Sequence, residues 1–324
     1  MSKIEWTEKT WNPIVGCSVV SSGCTNCYAM KMAARLERMG MERYRGLTQP
    51  TKAGPVWTGE MRLVDEALNE PLRRRKPTMW FVNSMSDLFH DSVPEEWIAQ
   101  VFAIMALAPQ HTFQVLTKRS DRMHRLMAGP KDHSIWHPKL WHRSVLPNVW
   151  LGVSAEDQRR ADERVPDLLT TPAAVRFVSA EPLLGPIDFS AWLEAAGLDT
   201  TLGLSNPGLD WLIVGGESGP GARPMHPVWA RSIRDQCAAA SVPFFHKQNG
   251  AYEVVVDRDK DDPDWRRDYS YTLNDRRAEI EWLNVQGGRG FHGEGFHVMR
   301  RVGKARAGRH LDGIEHNGLP EARR

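Results

Sequence analysis

The sequence predicts an α/β protein built on an incomplete (β/α) barrel of the TIM type, with parallel strands and an irregular C-terminal extension. Three observations support this fold class. Short apolar runs each end in small or polar residues, helical stretches lie between them, and the runs recur at roughly 25–40 residues, which fits a strand, a crossover helix and two loops. Continuous apolar strands that alternate with helices are typical of a parallel sheet covered on both faces.

Six segments carry the strand pattern, and a seventh strand is expected before Cys17. The six are MWFVNS (79–84), FQVLTK (113–118), VWLGVS (149–154), VRFVSAE (175–181), WLIVGGE (211–217) and PFFHKQ (243–248). Because the chemistry of such barrels lies at the carboxyl ends of the strands, we expect the residues at these ends to form a site. They include Asn83, Lys118, Ser154, Glu156, Glu181, Gly215, Gly216 and Glu217.

Helical stretches lie between these strands, at PEEWIAQVFAIMALA (94–108), AEDQRRADERVPDLL (155–169) and HPVWARSIRDQCAAA (226–240). The first and third have a proline near their start, where it is tolerated. The second reads as polar and exposed, with Pro166 limiting or kinking its end. The pattern stops near residue 250, so we expect a barrel over 1–250 and an extension over 251–324 packed on it. Within that extension, 257–270 is highly charged and 285–296 is glycine-rich and loop-like.

Composition and charge argue against a membrane-spanning or secreted protein. The net charge is only +2, and no apolar run is long enough to cross a membrane. The N-terminal residues lack the apolar core of a signal peptide. We therefore expect a cytoplasmic monomer that does not contact a membrane. Positive charge gathers at 73–76 and again among Arg300, Arg301, Lys304, Arg306 and Arg309, either as solvated surface or as phosphate-contacting patches.

Three of the four cysteines lie within one short loop, GCSVVSSGCTNCYA (16–29), as C-x6-C-x2-C. Thiolates on Cys17, Cys24 and Cys27 suit an iron–sulfur cluster or zinc. Because four cysteines would saturate a cubane, three leave one iron open to an exchangeable ligand. The residues alone also allow a Cys3His zinc site that uses a histidine such as His90, a thiol redox pair, or three buried cysteines without a metal.

Most of the chain resembles a phage-associated bacterial family that has a three-cysteine motif and no assigned function. The matching stretches are IEWTEKTWNPIVGC, GCTNCYA, WFVNSMSDLFH, VLTKR, GVSAED, FVSAEPLLGPI, WLIVGGESGPGARPM, FFHKQNG and AGRHLDG. That family is similar to a divergent branch of the radical S-adenosylmethionine (SAM) superfamily, which implies a partial barrel with a cluster loop after the first strand. The six-residue gap after Cys17 departs from the usual three, and Asn26 stands where an aromatic residue is common.

The resemblance implies a function. A [4Fe–4S] cluster on the three cysteines would receive one electron from an external reductant and cleave SAM to a 5′-deoxyadenosyl radical. Similarity to spore photoproduct lyase implies DNA as the partner and a photoproduct lyase-like repair reaction. In that enzyme a lysine and a serine on successive strands hold SAM, and Lys118 and Ser154 match them.

The resemblance to radical SAM enzymes also suggests roles for the other candidate residues of the site. Asn83 would hydrogen-bond the carboxylate or ribose of SAM, and Gly215 and Gly216 would let it approach the backbone. Glu156, Glu181 and Glu217 would orient its polar groups or form structural salt bridges. Cys237 and Tyr252 are the candidate hydrogen donors. The alternatives are a zinc-binding phage-accessory or nucleic-acid-binding protein without catalysis, and a radical SAM enzyme that modifies RNA or a metabolite.

Overall fold

A computed structural model of the chain describes residues 4–128, 145–193, 198–199, 204–205, 208–256, 279–289 and 295–321. Within these ranges a curled, all-parallel sheet of seven strands forms a half-barrel that helices flank, which confirms the predicted α/β fold class. None of the helices in the described ranges is long and apolar enough to span a bilayer.

The strands follow one another in chain order. They are β1 (Lys9–Trp11), β2 (Ile14–Val15), β3 (Thr48–Thr51), β4 (Gly54–Trp57), β5 (Arg62–Leu63), β6 (Met79–Val82), β7 (Thr112–Thr117), β8 (Val149–Ser154), β9 (Val175–Ala180), β10 (Leu198–Asp199), β11 (Leu204–Ser205), β12 (Trp211–Gly215), β13 (Phe244–Gln248), β14 (Tyr252–Val256), β15 (Ile280–Leu283) and β16 (His297–Arg301). The helices are α1 (Tyr28–Arg38), α2 (Asp65–Leu68), α3 (Glu70–Arg73), α4 (Glu95–Leu107), α5 (Ser120–Ala128), α6 (Gln158–Thr170), α7 (Ser190–Leu193), α8 (Pro227–Ala239) and α9 (Lys304–Ala307).

The half-barrel has the strand order β1-β6-β7-β8-β9-β12-β13. All six predicted strands are present, and β1 supplies the strand expected before Cys17. The predicted helices are α4, α6 and α8. Pro166 does not end α6, which continues to Thr170, and the helix is not simply exposed, because Ala161, Val165 and Leu168 are buried against the sheet.

Aromatic side chains fill the lower interior of the half-barrel. Trp6 lies 4.7 Å from Phe81 and 6.1 Å from Trp211, measured between ring centroids. A Cβ on Gly152 would lie 2.6 Å from the ring of Phe177, so the lack of a side chain there makes room for that ring. Because side chains alternate along a strand, residues two positions beyond these rings face the same interior above them. The aromatic layer is therefore the floor, and the polar strand ends form the mouth.

The C-terminal extension is more regular than the sequence predicts, because β14, β16 and β15 form an antiparallel sheet. The last part of the chain then returns to the half-barrel. Asn317 pairs with Phe245 of β13, and the Trp211 indole donates to the carbonyl of Gly318 at 2.7 Å. Covering β13 in this way protects a sheet edge that would otherwise present unpaired backbone groups. The charged segment 257–270 lies outside the described residues, as do 290–294 of the glycine-rich segment.

A small second core lies beside the mouth. Strands β2 and β5, the β3–β4 hairpin and α1 surround a buried cluster that includes Met30, Leu47 and Trp57. Cys17 and Cys27 pack against this cluster. The cysteine loop thus has a hydrophobic foundation of its own, separate from the core between the sheet and the outer helices.

Candidate functional site

The cysteine loop, residues 16–27, connects β2 to α1. It begins at Gly16, which has φ +101° and donates its N–H to the Met85 carbonyl at 3.3 Å. A Cβ at this position would lie 2.0 Å from the carbonyl oxygen of Glu60, so only glycine fits. The residue before the first cysteine is therefore fixed by sterics as well as by backbone conformation.

The three thiols of the loop are half-buried, free of disulfides and close enough to interact electrostatically. Burial, and next the charge of Asp87, raise the pKa of the Cys17 thiol to about 12. In the described parts of the chain, no three His, Cys, Asp or Glu side chains form a group that could hold a single metal ion. The donor set is three soft sulfur atoms on one loop, which suits an iron–sulfur cluster or zinc.

Glu156 fastens the cysteine loop to the end of β8. Its carboxylate is fully buried, accepts the Gly23 N–H at 3.0 Å and pairs with Arg164 at 3.1 Å. Burial alone would raise the pKa of Glu156, but Lys118 and Arg164 are among the groups that outweigh it and hold the pKa below its ordinary value. Glu156 is therefore an anion in the fold and holds the loop over the mouth.

Glu217, after β12, makes a second attachment to the loop. Its carboxylate accepts from Asn26 at 3.0 Å and from the Arg223 guanidinium at 2.7 and 2.9 Å. Arg223 also donates to the carbonyl of Ser22 at 2.9 Å. Burial opposes the charge of Glu217, yet the hydrogen bonds from Arg223 and Asn26 outweigh it and lower its pKa. Two strand-end carboxylates thus hold the segment that carries the cysteines.

Glu181 is ion-paired as well, with Lys247 at 3.0 Å. A Cβ on Gly215 would lie 2.3 Å from its carboxylate, and a Cβ on Gly216 would lie 2.6 Å from the carbonyl of Asn249. Protein groups fill the space beside both glycines, so packing within the chain accounts for them. The three predicted glutamates all form the structural ion pairs that the sequence left as an alternative.

Lys118 and Ser154 lie side by side at the ends of β7 and β8, because Thr117 pairs with Val153. Lys118 is half-buried, and its ammonium makes no hydrogen bond or ion pair with any described residue. Ser154 is 3% exposed, and its hydroxyl has no described hydrogen-bond partner. These two side chains are a cation and a hydroxyl that remain available to a ligand.

Asn83 also carries a side-chain donor that no described residue accepts. It adopts φ +57°, is 3% exposed, and its carboxamide oxygen accepts the Ile14 N–H at 3.4 Å. Its Nδ2 is buried without an acceptor among the described residues. An unsatisfied buried donor costs about 1–3 kcal/mol, so a ligand that accepts from Asn83 would recover that energy.

The sequence did not single out a group of residues behind Cys17. The Asp87 carboxylate accepts from Thr117 Oγ1 at 2.7 Å and from Arg119 at 2.9 Å. Arg119 also donates to the hydroxyl of Ser18 at 2.7 Å, and that hydroxyl lies 2.8 Å from Nε2 of His90. The one sequence signal for this group was the position of Arg119, which directly follows Lys118 at the end of a predicted strand.

The proposed hydrogen donors lie elsewhere. Cys237 is fully buried on α8, in the core between that helix and the sheet. Tyr252 begins β14 and pairs with Arg301 of β16. Neither makes a described hydrogen bond to the cysteine loop, and both belong to the large core rather than to the small core on which Cys17 and Cys27 pack.

The two basic clusters differ in their ion pairing and in their position on the half-barrel. The five C-terminal cations are each ion-paired: Arg300 and Arg306 with Glu253, Arg301 with Glu279, Lys304 with Glu5 and Arg309 with Glu315. The cluster at 73–76 precedes β6 and so lies at the amino ends of the strands, opposite the mouth. It borders a surface cavity of about 510 Å³ together with Lys9 and Trp80.

Residues 1–320 match the model of a family described as a protein of unknown function, DUF5131. No curated protein and no solved structure matches the chain. Because the family model spans nearly all of the 324 residues, this chain belongs to the DUF5131 family of proteins of unknown function.

Proposed function

We propose that this protein is a radical SAM enzyme whose [4Fe–4S] cluster is held by Cys17, Cys24 and Cys27. One observation carries the proposal. Glu156 and Glu217 fasten the three-cysteine loop to the carboxyl ends of the half-barrel strands. Lys118 and Ser154, whose ammonium and hydroxyl make no hydrogen bond with a described residue, occupy that same end. A parallel barrel places its chemistry at this end.

When bound, the cluster and SAM supply one-electron cleavage of the sulfonium to a 5′-deoxyadenosyl radical. The chain's own residues bind and orient. Lys118 would pair with the SAM carboxylate, because an ammonium is a compact donor and this one makes no hydrogen bond or ion pair with a described residue. Ser154 and the Nδ2 of Asn83 would donate to the carboxylate or ribose. The aromatic floor below them excludes water from the lower barrel.

The zinc-binding alternative receives less support. A structural zinc site takes four ligands at about 2.0–2.3 Å, so its sulfur atoms converge on one point. No such group exists among the described residues. His90, the suggested fourth ligand, has Nδ1 accepting from the Ser92 N–H and Nε2 at 2.8 Å from Ser18.

Metal analysis under anaerobic conditions tests the proposal. The purified and reconstituted protein should be brown, contain about four iron and four sulfide per chain, and cleave SAM to 5′-deoxyadenosine when reduced. Cys24→Ala should lose both iron and cleavage. Cys237→Ala, which changes a cysteine in the core, should keep its iron. Colourless protein with one zinc per chain would contradict the proposal and favour the zinc-binding alternative.

We extend the proposal to a nucleic-acid substrate, with a photoproduct lyase-like repair of DNA as the reaction. The support is the resemblance of Lys118 and Ser154 to the SAM-holding residues of spore photoproduct lyase. The basic clusters add little to it, because one is ion-paired and the other lies opposite the mouth. A damaged base would have to leave its stack to reach the mouth.

Substrate choice is tested by SAM cleavage in the presence of ultraviolet-irradiated DNA, unirradiated DNA or RNA. Stimulation by irradiated DNA alone supports the lyase assignment. Stimulation by RNA alone would replace it with an RNA-modifying enzyme. An equal rate with and without every nucleic acid would rule out this substrate class while leaving the cluster assignment intact.

A further inference from the structure

Ser18 follows the first cysteine of the loop, and its hydroxyl takes part in two hydrogen bonds. The first comes from Nη2 of Arg119 at 2.7 Å. The second partner is Nε2 of His90 at 2.8 Å. The direction of that second bond depends on which nitrogen of the imidazole carries the proton.

The surroundings of His90 fix its tautomer. Its Nδ1 accepts the backbone N–H of Ser92 at 3.1 Å, so Nδ1 carries no proton. The proton of the neutral ring is then on Nε2, which donates to Ser18. Burial, and next the charge of Arg119, lower the pKa of His90 and favour this neutral form.

The hydroxyl of Ser18 is therefore saturated as an acceptor. A serine oxygen has two lone pairs and one proton. Both lone pairs are used, by Arg119 and His90, and no described residue accepts the proton. The O–H of Ser18 is left as a fixed donor, one residue from the thiol of Cys17.

Arg119 presents a second unused donor at the same place. Its side chain is 6% exposed and is held by Asp87, which also accepts from Thr117 Oγ1 and from the backbone N–H groups of Phe89 and Lys118. The Nε–H of Arg119 has no hydrogen-bond acceptor in the described part of the chain, and the exposed carboxylate of Asp91 lies 3.8 Å from that nitrogen. The guanidinium also interacts electrostatically with Cys17.

We propose that Arg119 and Ser18 are positioning residues that donate hydrogen bonds toward the sulfur of Cys17 and the cluster it carries, and thereby raise the reduction potential of that cluster. This inference rests on the proposed function, because it requires a cluster on the loop. Hydrogen bonds to cluster sulfurs and nearby positive charge stabilise the reduced state, which carries one more negative charge. The cluster would then accept an electron from its external donor more easily.

The experiment is a redox titration of the reconstituted protein, followed by electron paramagnetic resonance. Ser18→Ala removes one hydroxyl, and Arg119→Lys keeps the charge but not the guanidinium fork. Ser22→Ala is the matched control, because Ser22 is an exposed serine of the same loop. At the wild-type midpoint potential, we expect the ratio of reduced to oxidised cluster to fall about tenfold in Ser18→Ala, which corresponds to about 59 mV for one electron.

Arg119→Lys should shift in the same direction, and Ser22→Ala should titrate like the wild type. Variants Ser18→Ala and Arg119→Lys that bind full iron and keep the wild-type midpoint would overturn the inference while the proposed function stands. Wild-type protein without iron and sulfide would instead overturn the proposed function, and the inference with it. Ser18→Ala decides the matter even if Arg119→Lys does not fold, since it leaves the buried Asp87–Arg119 pair intact.

Discussion

The carboxylate of Glu156 accepts a hydrogen bond at 3.0 Å from the backbone N–H of Gly23, a residue 133 positions earlier in the chain. Gly23 directly precedes Cys24. A Cβ on it would lie 3.0 Å from the carboxyl carbon of Glu156, so the two residues are in tight contact. The second cysteine is thus positioned by the end of the central strand β8.

Replacing Glu156 should therefore destabilise the protein. Glu156→Gln leaves the buried Arg164 without its counter-ion, and breaking a buried pair from one side costs about 3–5 kcal/mol. Urea titration of the variant should show a loss in this range. Glu163→Gln on the same helix as Arg164 is the control, because exposed pairs such as Glu163–Arg159 contribute only about 0–1 kcal/mol. Equal effects of the two substitutions would contradict the role given to Glu156.

The stability of the fold should fall between pH 6.5 and about 4 because of His246. Burial first, then the neighbouring charges of His316 and Arg309, lower its pKa from 6.5 to about 4. Its Nε2 is bonded to Asn249, and Nδ1 has no acceptor among the described residues to receive an added proton. The unfolded chain therefore binds a proton on this histidine near pH 6.5, whereas the folded protein binds it only at a lower pH. The stabilisation is complete above pH 6.5 and is lost as the pH falls toward 4, by about 3 kcal/mol.

Measuring the free energy of unfolding at several pH values tests this expectation. His246→Asn should flatten the decline between pH 6.5 and 4, whatever its effect at pH 7. His310→Gln, which changes an exposed histidine, should leave the slope as in the wild type. A slope that His246→Asn does not change would mean that another group causes the decline.

Gly152→Ala should disturb the aromatic floor. The new methyl group would lie 2.6 Å from the ring of Phe177, and overpacking of this kind costs about 1–3 kcal/mol. Gly185→Ala is a matched control, because the nearest atom of the described residues to its Cβ would be the Cβ of Asp157, at 3.7 Å. Thermal unfolding should show a lower midpoint for Gly152→Ala and little change for Gly185→Ala. Similar midpoints would show that the floor tolerates the added volume.

Lys118→Ala should weaken SAM binding more than it affects the fold. The ammonium makes no described hydrogen bond or ion pair and acts on the fold only through its longer-range attraction to Glu156, whereas a hydrogen bond to a charged group contributes about 1.5–3 kcal/mol, or roughly 10- to 150-fold in affinity. Calorimetric titration of the reconstituted protein with SAM measures this. Lys9→Ala, at the opposite end of the strands, should bind SAM as the wild type does. Unchanged affinity in Lys118→Ala would remove this lysine from the site.

The sequence by itself determined the parallel strands, the helices between them and the three-cysteine loop. Each of these is encoded locally, in runs of apolar residues, helical spacing or a short motif. Period-two alternation also places Ser154 and Glu156 on the same face as the interior residues below them. The predicted strand-end residues therefore lie at the mouth.

Only the tertiary structure decided how those residues are used. It paired Glu156, Glu181 and Glu217 with cations, left Lys118 and Ser154 without described partners, and set Arg119 and Ser18 behind Cys17. Such contacts join residues that are far apart in the chain, and they depend on how the sheet curls and where its loops cross. A local pattern fixes which way a side chain points, whereas its partner is fixed only when the whole half-barrel has formed.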